Sequence, residues 1–188
     1  SRLRWPIDPT SPPIFYEVKA DDDSDLEFFE EAVHEAARLW NEVPTSYFTF
    51  SPALEGASAE VTINLQRAFA DAAFSAGFAV FDETDEENNP LHCSIFLAVD
   101  DTTPYLSLAK TILHELGHCF GLGHSLIPEA IMSYSLEQNQ FALDLDDEAA
   151  ITRLYPADGT TPKLPPGCAI GSASSGIPPS MILLLPLF

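Results

Sequence analysis

Basic residues are scarce: 8 Lys and Arg stand against 29 Asp and Glu, for a formal net charge of −21 at pH 7. Nucleic acid and anionic membranes are bound through basic patches that neutralise phosphate, so neither is an expected partner. Such acidity suits solubility outside the cell, calcium sites or a saline habitat, three settings that composition does not separate. Cysteine is nearly as sparse. Cys93, Cys119 and Cys168 are too few for a disulfide scaffold, and no Cys-x-x-Cys pair occurs. There is no Asn-x-Ser/Thr acceptor for glycosylation. The longest apolar run, Met181-Ile182-Leu183-Leu184-Leu185-Pro186-Leu187-Phe188, falls well short of the roughly 20 residues that span a bilayer. The opening Ser1-Arg2-Leu3-Arg4-Trp5-Pro6 lacks the apolar core of a signal peptide and reads as the start of a mature or recombinant fragment.

What is present is material for one core. Apolar residues make up 46 % of the 188, with 13 Phe and 2 Trp, enough for one domain of about 150 residues and a tail. Alternation predicts strands over 13–19, 47–50, 59–65 and 91–99, the last with Cys93, Ile95 and Leu97 on one face and Ser94, Phe96 and Ala98 on the other. A short apolar stretch at 78–81 follows an ambiguous segment, 66–77. Leu26, Phe29, Val33, Ala36 and Trp40 form one stripe of a helix over about 25–40, which Ser24 and Glu27 would cap. His34 lies off that stripe and reads as exposed. The acidic loop Asp82 to Pro90 is a candidate calcium loop, but it has the spacing of no known one and reads more readily as a solvated turn. A final helix over 144–155 opens with Asp144 and Asp147 in capping-box spacing. From Pro156 on there are 7 prolines, with Gly-Ser-Ala-Ser-Ser-Gly at 171–176. The reading is a domain over 1–157, a linker over 158–176 and an apolar tail over 177–188.

The chemistry is concentrated in His114-Glu115-Leu116-Gly117-His118-Cys119-Phe120-Gly121-Leu122-Gly123-His124. A helix running from about Leu106 would place His114 and His118 one turn apart on one face, where both reach one metal ion. Gly121 suits the left-handed turn that ends a helix and lets the chain bring in His124. Three imidazoles and an open fourth position make a catalytic zinc site, with Glu115 beside the metal as an acid–base group. The competing reading is a chance cluster on a buried helix, which requires five residues to fall into register by accident.

These residues resemble the signature of the metzincin zinc endopeptidases, His-Glu-x-x-His-x-x-Gly-x-x-His followed by a methionine turn. Here it is filled by His114, Glu115, His118, Gly121, His124 and Met132. Ser125 after the third histidine, Leu3-Arg4-Trp5-Pro6 and the closing helix through Leu154-Tyr155-Pro156 are similar to matrixins, in a mixture of bacterial type. Ile131-Met132-Ser133-Tyr134 is similar to astacins and serralysins, whose corresponding tyrosine binds zinc. Tyr134 is therefore a candidate fifth ligand and oxyanion donor, or else a core or surface tyrosine.

The resemblance implies an α+β fold: a twisted mixed sheet of about five strands, two long helices, a zinc cleft and a small C-terminal subdomain ending in a helix. It implies one catalytic Zn2+ held by His114, His118 and His124, with Met132 as an apolar floor beneath them. No match to the ligand set of a second, structural zinc is present. The implied activity is hydrolysis of peptide bonds by a zinc-bound water, with Glu115 as general base. The implied substrate is a protein or peptide in extended form, paired with the strand over 91–99 as the upper rim of the cleft. Expected besides are a monomer and an extracellular, secreted or cell-surface location. The tail around Cys168 resembles a bacterial C-terminal sorting signal, which would make it the only membrane attachment. Cys93 and Cys119 are either a disulfide, as suits a secreted protein, or two buried thiols. The alternative is a metzincin-shaped zinc-binding module without proteolytic activity, against which the retained Glu115 argues.

Overall fold

The computed structural model describes residues 4–21, 26–67, 77–99, 104–134 and 141–160. In chain order they form β1 (Ile14–Ala20), α1 (Leu26–Asn41), β2 (Phe50–Pro52), β3 (Val61–Arg67), β4 (Gly77–Thr84), β5 (Pro90–Val99), α2 (Tyr105–Cys119) and α3 (Leu145–Leu154). The strands make one sheet in the order β2-β1-β3-β5-β4. The first four in that order run parallel, and β4 runs antiparallel to β5. This is the expected α+β architecture. The Ser24 cap, residues 68–76, Cys168 and everything beyond residue 160 lie outside the described residues. Among the described residues, no helix is long and apolar enough to cross a membrane.

Helix α1 buries the stripe that its spacing predicts. Phe29, Val33, Ala36 and Trp40 face the core, while Arg38 pairs with Glu35 and Glu42 on the outer side. His34 is exposed, its ring edge-on to Tyr16. Helix α2 packs beside α1, and the Trp40 indole donates to the Leu113 carbonyl at 3.0 Å. Both cover the sheet face formed by Val61, Ile63, Leu65, Cys93, Ile95 and Leu97.

Two expectations about strands change. The second strand begins at Phe50, three residues later than its apolar run suggests. Phe48 is instead packed against Phe120 and Tyr155, at ring-centroid distances of 4.4 and 4.8 Å, and Ser46 bridges to Pro156. The larger correction concerns the rim of the cleft. β5 over 90–99 lies between β3 and β4, with hydrogen-bonded neighbours on both sides, and cannot pair with a substrate. The edges are β2, only three residues long, and β4 beside α2. The acidic loop is a closed turn that joins β4 to β5 as antiparallel neighbours, and β5 then pairs with β3 on its other side. The Asp85 amide donates to the Asn89 carbonyl and the Asn88 amide to the Asp85 carbonyl, each at 3.0 Å, and Asn88 takes a left-handed φ of 63°. The Asp85 carboxylate accepts from the amides of Glu87 and Asn89 and from the Asn89 side chain, each at 2.8 Å. Asp82 accepts from His92 and Ser94 at 2.7 and 2.8 Å. These two carboxylates are thus already engaged by protein donors.

Helix α3 starts at Asp144 with the capping box in place. It closes the small lower subdomain against the aromatic cluster of Phe48, Phe120 and Tyr155.

Candidate metal centre

From Leu108 to Cys119 every residue of α2 is buried, His114, Glu115 and His118 included. A helix so enclosed presents its polar groups to whatever surrounds it, since burial without a partner is costly. Its end is a Schellman motif: the Gly121 amide bonds the His118 carbonyl at 2.9 Å, and the Leu122 amide bonds Gly117 at 3.0 Å. Gly121 sits at φ 96°, a conformation that favours glycine. The chain then turns back and delivers His124 to the two helical histidines.

Potential ligand atoms of His114, His118 and His124 all lie within 4.8 Å of one another. Nε2 of His114 and of His118 are 3.1 Å apart. Among the described residues, this is the one group of three or more His, Cys, Asp or Glu side chains so placed. The outer nitrogens are occupied by backbone. His114 Nδ1 donates to the Ile131 carbonyl at 2.6 Å, and His118 Nδ1 donates to Leu122 at 2.9 Å. These contacts fix ring orientation and direct each Nε2 inward, as the outer contacts of ligating histidines do. Burial, and then the neighbouring imidazole His118, push His114 down to about 3. Burial likewise pushes His118 down to about 4. Neutral rings are the form that binds metal.

Glu115 is 4 % exposed. Burial pushes its carboxyl up to about 7, opposed by a hydrogen bond from the Ala79 amide on β4. Its Oε2 is buried with no protein partner. Three converging neutral imidazoles beside a carboxylate oxygen with no protein donor fit a divalent metal with water on its open side.

Met132 is buried below the helix, and a Cβ at Gly117 would collide with its sulfur. The glycine between the two histidines thus lets the methionine turn pack directly under the site. Tyr134 is 59 % exposed and stacks on His124, with ring centroids 4.4 Å apart. Cys93 and Cys119 form a disulfide with Cα atoms 5.8 Å apart, tying β5 to the last turn of α2.

One residue important to this site is read from sequence only as a helix cap. Asp147 is fully buried, and its carboxylate accepts from the Asp144, Ile131 and Met132 amides at 2.8, 2.7 and 3.0 Å. Since the Ile131 carbonyl holds His114, Asp147 secures the turn that orients a ligand. Capping-box spacing hinted at the first contact. The other two join segments 15 and 16 residues apart, which no local pattern records.

A family model described as matrixin matches residues 10–156. The chain belongs to the matrixin family. This matrixin is 29 % identical over 136 residues to matrix metalloproteinase-21 of Homo sapiens, covering 64 % of the chain and 22 % of that protein. It is 46 % identical over 55 residues to matrix metalloproteinase-2 of Drosophila melanogaster, covering 28 % of the chain and 7 % of that protein. With matrilysin of Rattus norvegicus it shares 47 % identity over 45 residues, covering 22 % and 17 %. The matrixin thus spans less than a quarter of the length of these relatives.

Proposed function

We propose that the chain is a zinc-dependent endopeptidase that hydrolyses peptide bonds of extended protein segments, acting as a monomer outside the cell. The observation that carries this reading is the convergence of His114, His118 and His124 beside the buried Glu115. Zinc bound by the three histidines supplies Lewis acidity toward water and toward the scissile carbonyl. Glu115 takes the proton of the attacking water as its oxygen bonds to the carbonyl carbon. When the carbon–nitrogen bond breaks, Glu115 passes that proton to the leaving nitrogen, giving a new carboxyl end and a new amine. Met132 shapes the floor beneath the ligands. Tyr134, whose ring stacks on His124, would donate its hydroxyl to the developing oxyanion after a side-chain rotation.

The free edge of β4 supports binding of substrate as an added antiparallel strand, because its unpaired backbone groups need partners. A Cys93–Cys119 disulfide suits the oxidising conditions outside the cytosol.

Cleavage of an unfolded protein by the wild type and by Glu115→Ala tests the reading. The variant should lose about 10²-fold or more of kcat and keep its zinc. Zinc retention with no cleavage by either protein would favour the zinc-binding module. Equal cleavage by both would overturn the role of Glu115.

A further inference from the structure

A chain of polar side chains crosses the sheet on the face turned away from the helices. It runs through four strands: Asp82 on β4, His92 and Ser94 on β5, Thr62 on β3 and Glu17 on β1. His92 Nδ1 stands 2.7 Å from Asp82 Oδ1, and its Nε2 stands 3.0 Å from Thr62 Oγ1. The Thr62 hydroxyl donates to Glu17 Oε1 at 3.1 Å. Ser94 donates to the other Asp82 oxygen at 2.8 Å, and Lys19 donates to Glu17 at 2.6 Å. The remaining charged neighbours of His92 are Glu83, opposite it on β4, and Glu60 just before β3. The Glu60 carboxylate is engaged by the Phe15 amide at 2.8 Å.

Counting hydrogens decides the state of this chain. A carboxylate only accepts, and a threonine hydroxyl has one hydrogen to give. The hydrogen bond from Lys19 holds the Glu17 carboxyl below its ordinary range. Against burial, which raises it, the hydrogen bonds of His92 and Ser94 do the same for Asp82. Both carboxylates are therefore acceptors. With its one hydrogen given to Glu17, Thr62 can only accept from His92, so Nε2 carries a proton. Facing Asp82, so does Nδ1. All three contacts together require an imidazolium. When the ring loses a proton, one contact loses its hydrogen. The short, charge-assisted contact to Asp82 keeps its own. Nε2 then becomes an acceptor, and Thr62 turns its hydrogen from Glu17 to the ring.

We propose that His92 is a proton-gated link between the edge strand and β1: protonated, it joins Asp82 to Glu17 through Thr62, and neutral, it takes the Thr62 hydrogen and drops Glu17 from the chain. Asp82 lies where the pairing of β4 with β5 shifts register, so the link ties down the irregular end of the edge strand while the proton is present. Acidification adds the link. The inference does not rest on the enzyme reading, since none of these side chains belongs to the histidine site.

Nuclear magnetic resonance of the full chain tests the link across the pH range in which His92 titrates. The ring nitrogen shifts should show two protonated nitrogens on the acid side. On the basic side one proton should remain on Nδ1, with Nε2 bare. The Glu17 carboxyl carbon should move with the His92 midpoint, in a step separate from its own titration, as the Thr62 hydrogen leaves it. Thr62→Val keeps the shape of the side chain and should lose most of that step, retaining only what the ring charge transmits through space. Thr62→Ser keeps a hydroxyl and should keep the step. A neutral His92 protonated on Nε2 overturns the link. So does a Glu17 step that is absent in the wild type or undiminished in Thr62→Val. Should Thr62→Val fail to fold, the ring tautomer and the Glu17 step of the wild type decide.

Discussion

Asp147 is the residue whose removal should cost this fold most for its size. Its carboxylate holds two consecutive amides of the methionine turn and the first amide of its own cap. Asp147→Ala would strand those donors in a buried position, at about 1–3 kcal/mol for each that water fails to reach. We expect a loss of about 2–4 kcal/mol in urea unfolding, together with weaker zinc binding, because the Ile131 carbonyl would no longer be pinned against His114. A stable variant with unaltered zinc affinity would contradict this. Tyr134 is the opposite case, an exposed side chain with a proposed role in turnover and little in folding. Tyr134→Phe keeps the stack on His124 and removes the hydroxyl, so kcat should fall about 10-fold to 10²-fold, with melting temperature and bound zinc unchanged. At this scale, sequence reads what is local. The spacing of His114, His118 and His124, with Glu115 between, implies their convergence because a helical turn and a glycine turn are local geometry. The contacts of Asp147 to the Ile131 and Met132 amides cross between elements and leave no periodic trace.

Among the elements, the hairpin of β4 and β5 decides what the cleft can do. Alternation correctly groups Cys93, Ile95 and Leu97 on one face, which the structure buries, yet it is silent on which strand lies outermost. On the other face of β5 the structure buries Ser94 and half-buries Phe96 and Ala98, as suits a central strand. The acidic turn joins β4 to β5, and it makes a pH-dependent prediction. The Asn89 side chain, followed by the Asn89 amide, holds the Asp85 carboxyl below its ordinary 3.8, outweighing a small opposing effect of burial. A carboxyl depressed in the fold adds stability above its unfolded pKa, and that contribution is lost as pH falls through the lower, folded value. The turn should therefore stay closed down to pH 3.8 and open only below it. The Asp85 carboxyl carbon, followed by NMR, should titrate below 3.8, and a midpoint at or above that value would contradict the closed turn. The disulfide acts on the other side of β5, closing a separation of 26 residues. The double variant Cys93→Ala/Cys119→Ala should lose about 3 kcal/mol in urea, read as a lower unfolding midpoint, and an unchanged midpoint would count against it.

In the whole molecule, a five-stranded sheet and two packed helices bring two kinds of group to one place. α2 carries His114, Glu115 and His118 through the core, and the return after Gly121 adds His124. The sheet edge beside them offers free backbone for an extended chain. Fold class and site were legible together because one stretch of eleven residues, 114–124, carries both the helix and its chemistry. The order of strands was not legible, and the resemblance put the strand over 91–99 at the rim where β4 lies, since neighbours far apart in the chain are chosen by packing. The net charge of −21 is a property of the surface and says nothing about which carboxylate reacts. The proposed mechanism gives that task to Glu115, the carboxylate buried beside the three imidazoles. The most direct test is titration of zinc into the metal-stripped chain, with binding and cleavage of an unfolded protein followed in the same samples. The account predicts no cleavage at the start and one tight equivalent of zinc per chain, with cleavage rising in proportion and saturating at that equivalent. Full cleavage before zinc is added, or cleavage indifferent to it, would contradict it.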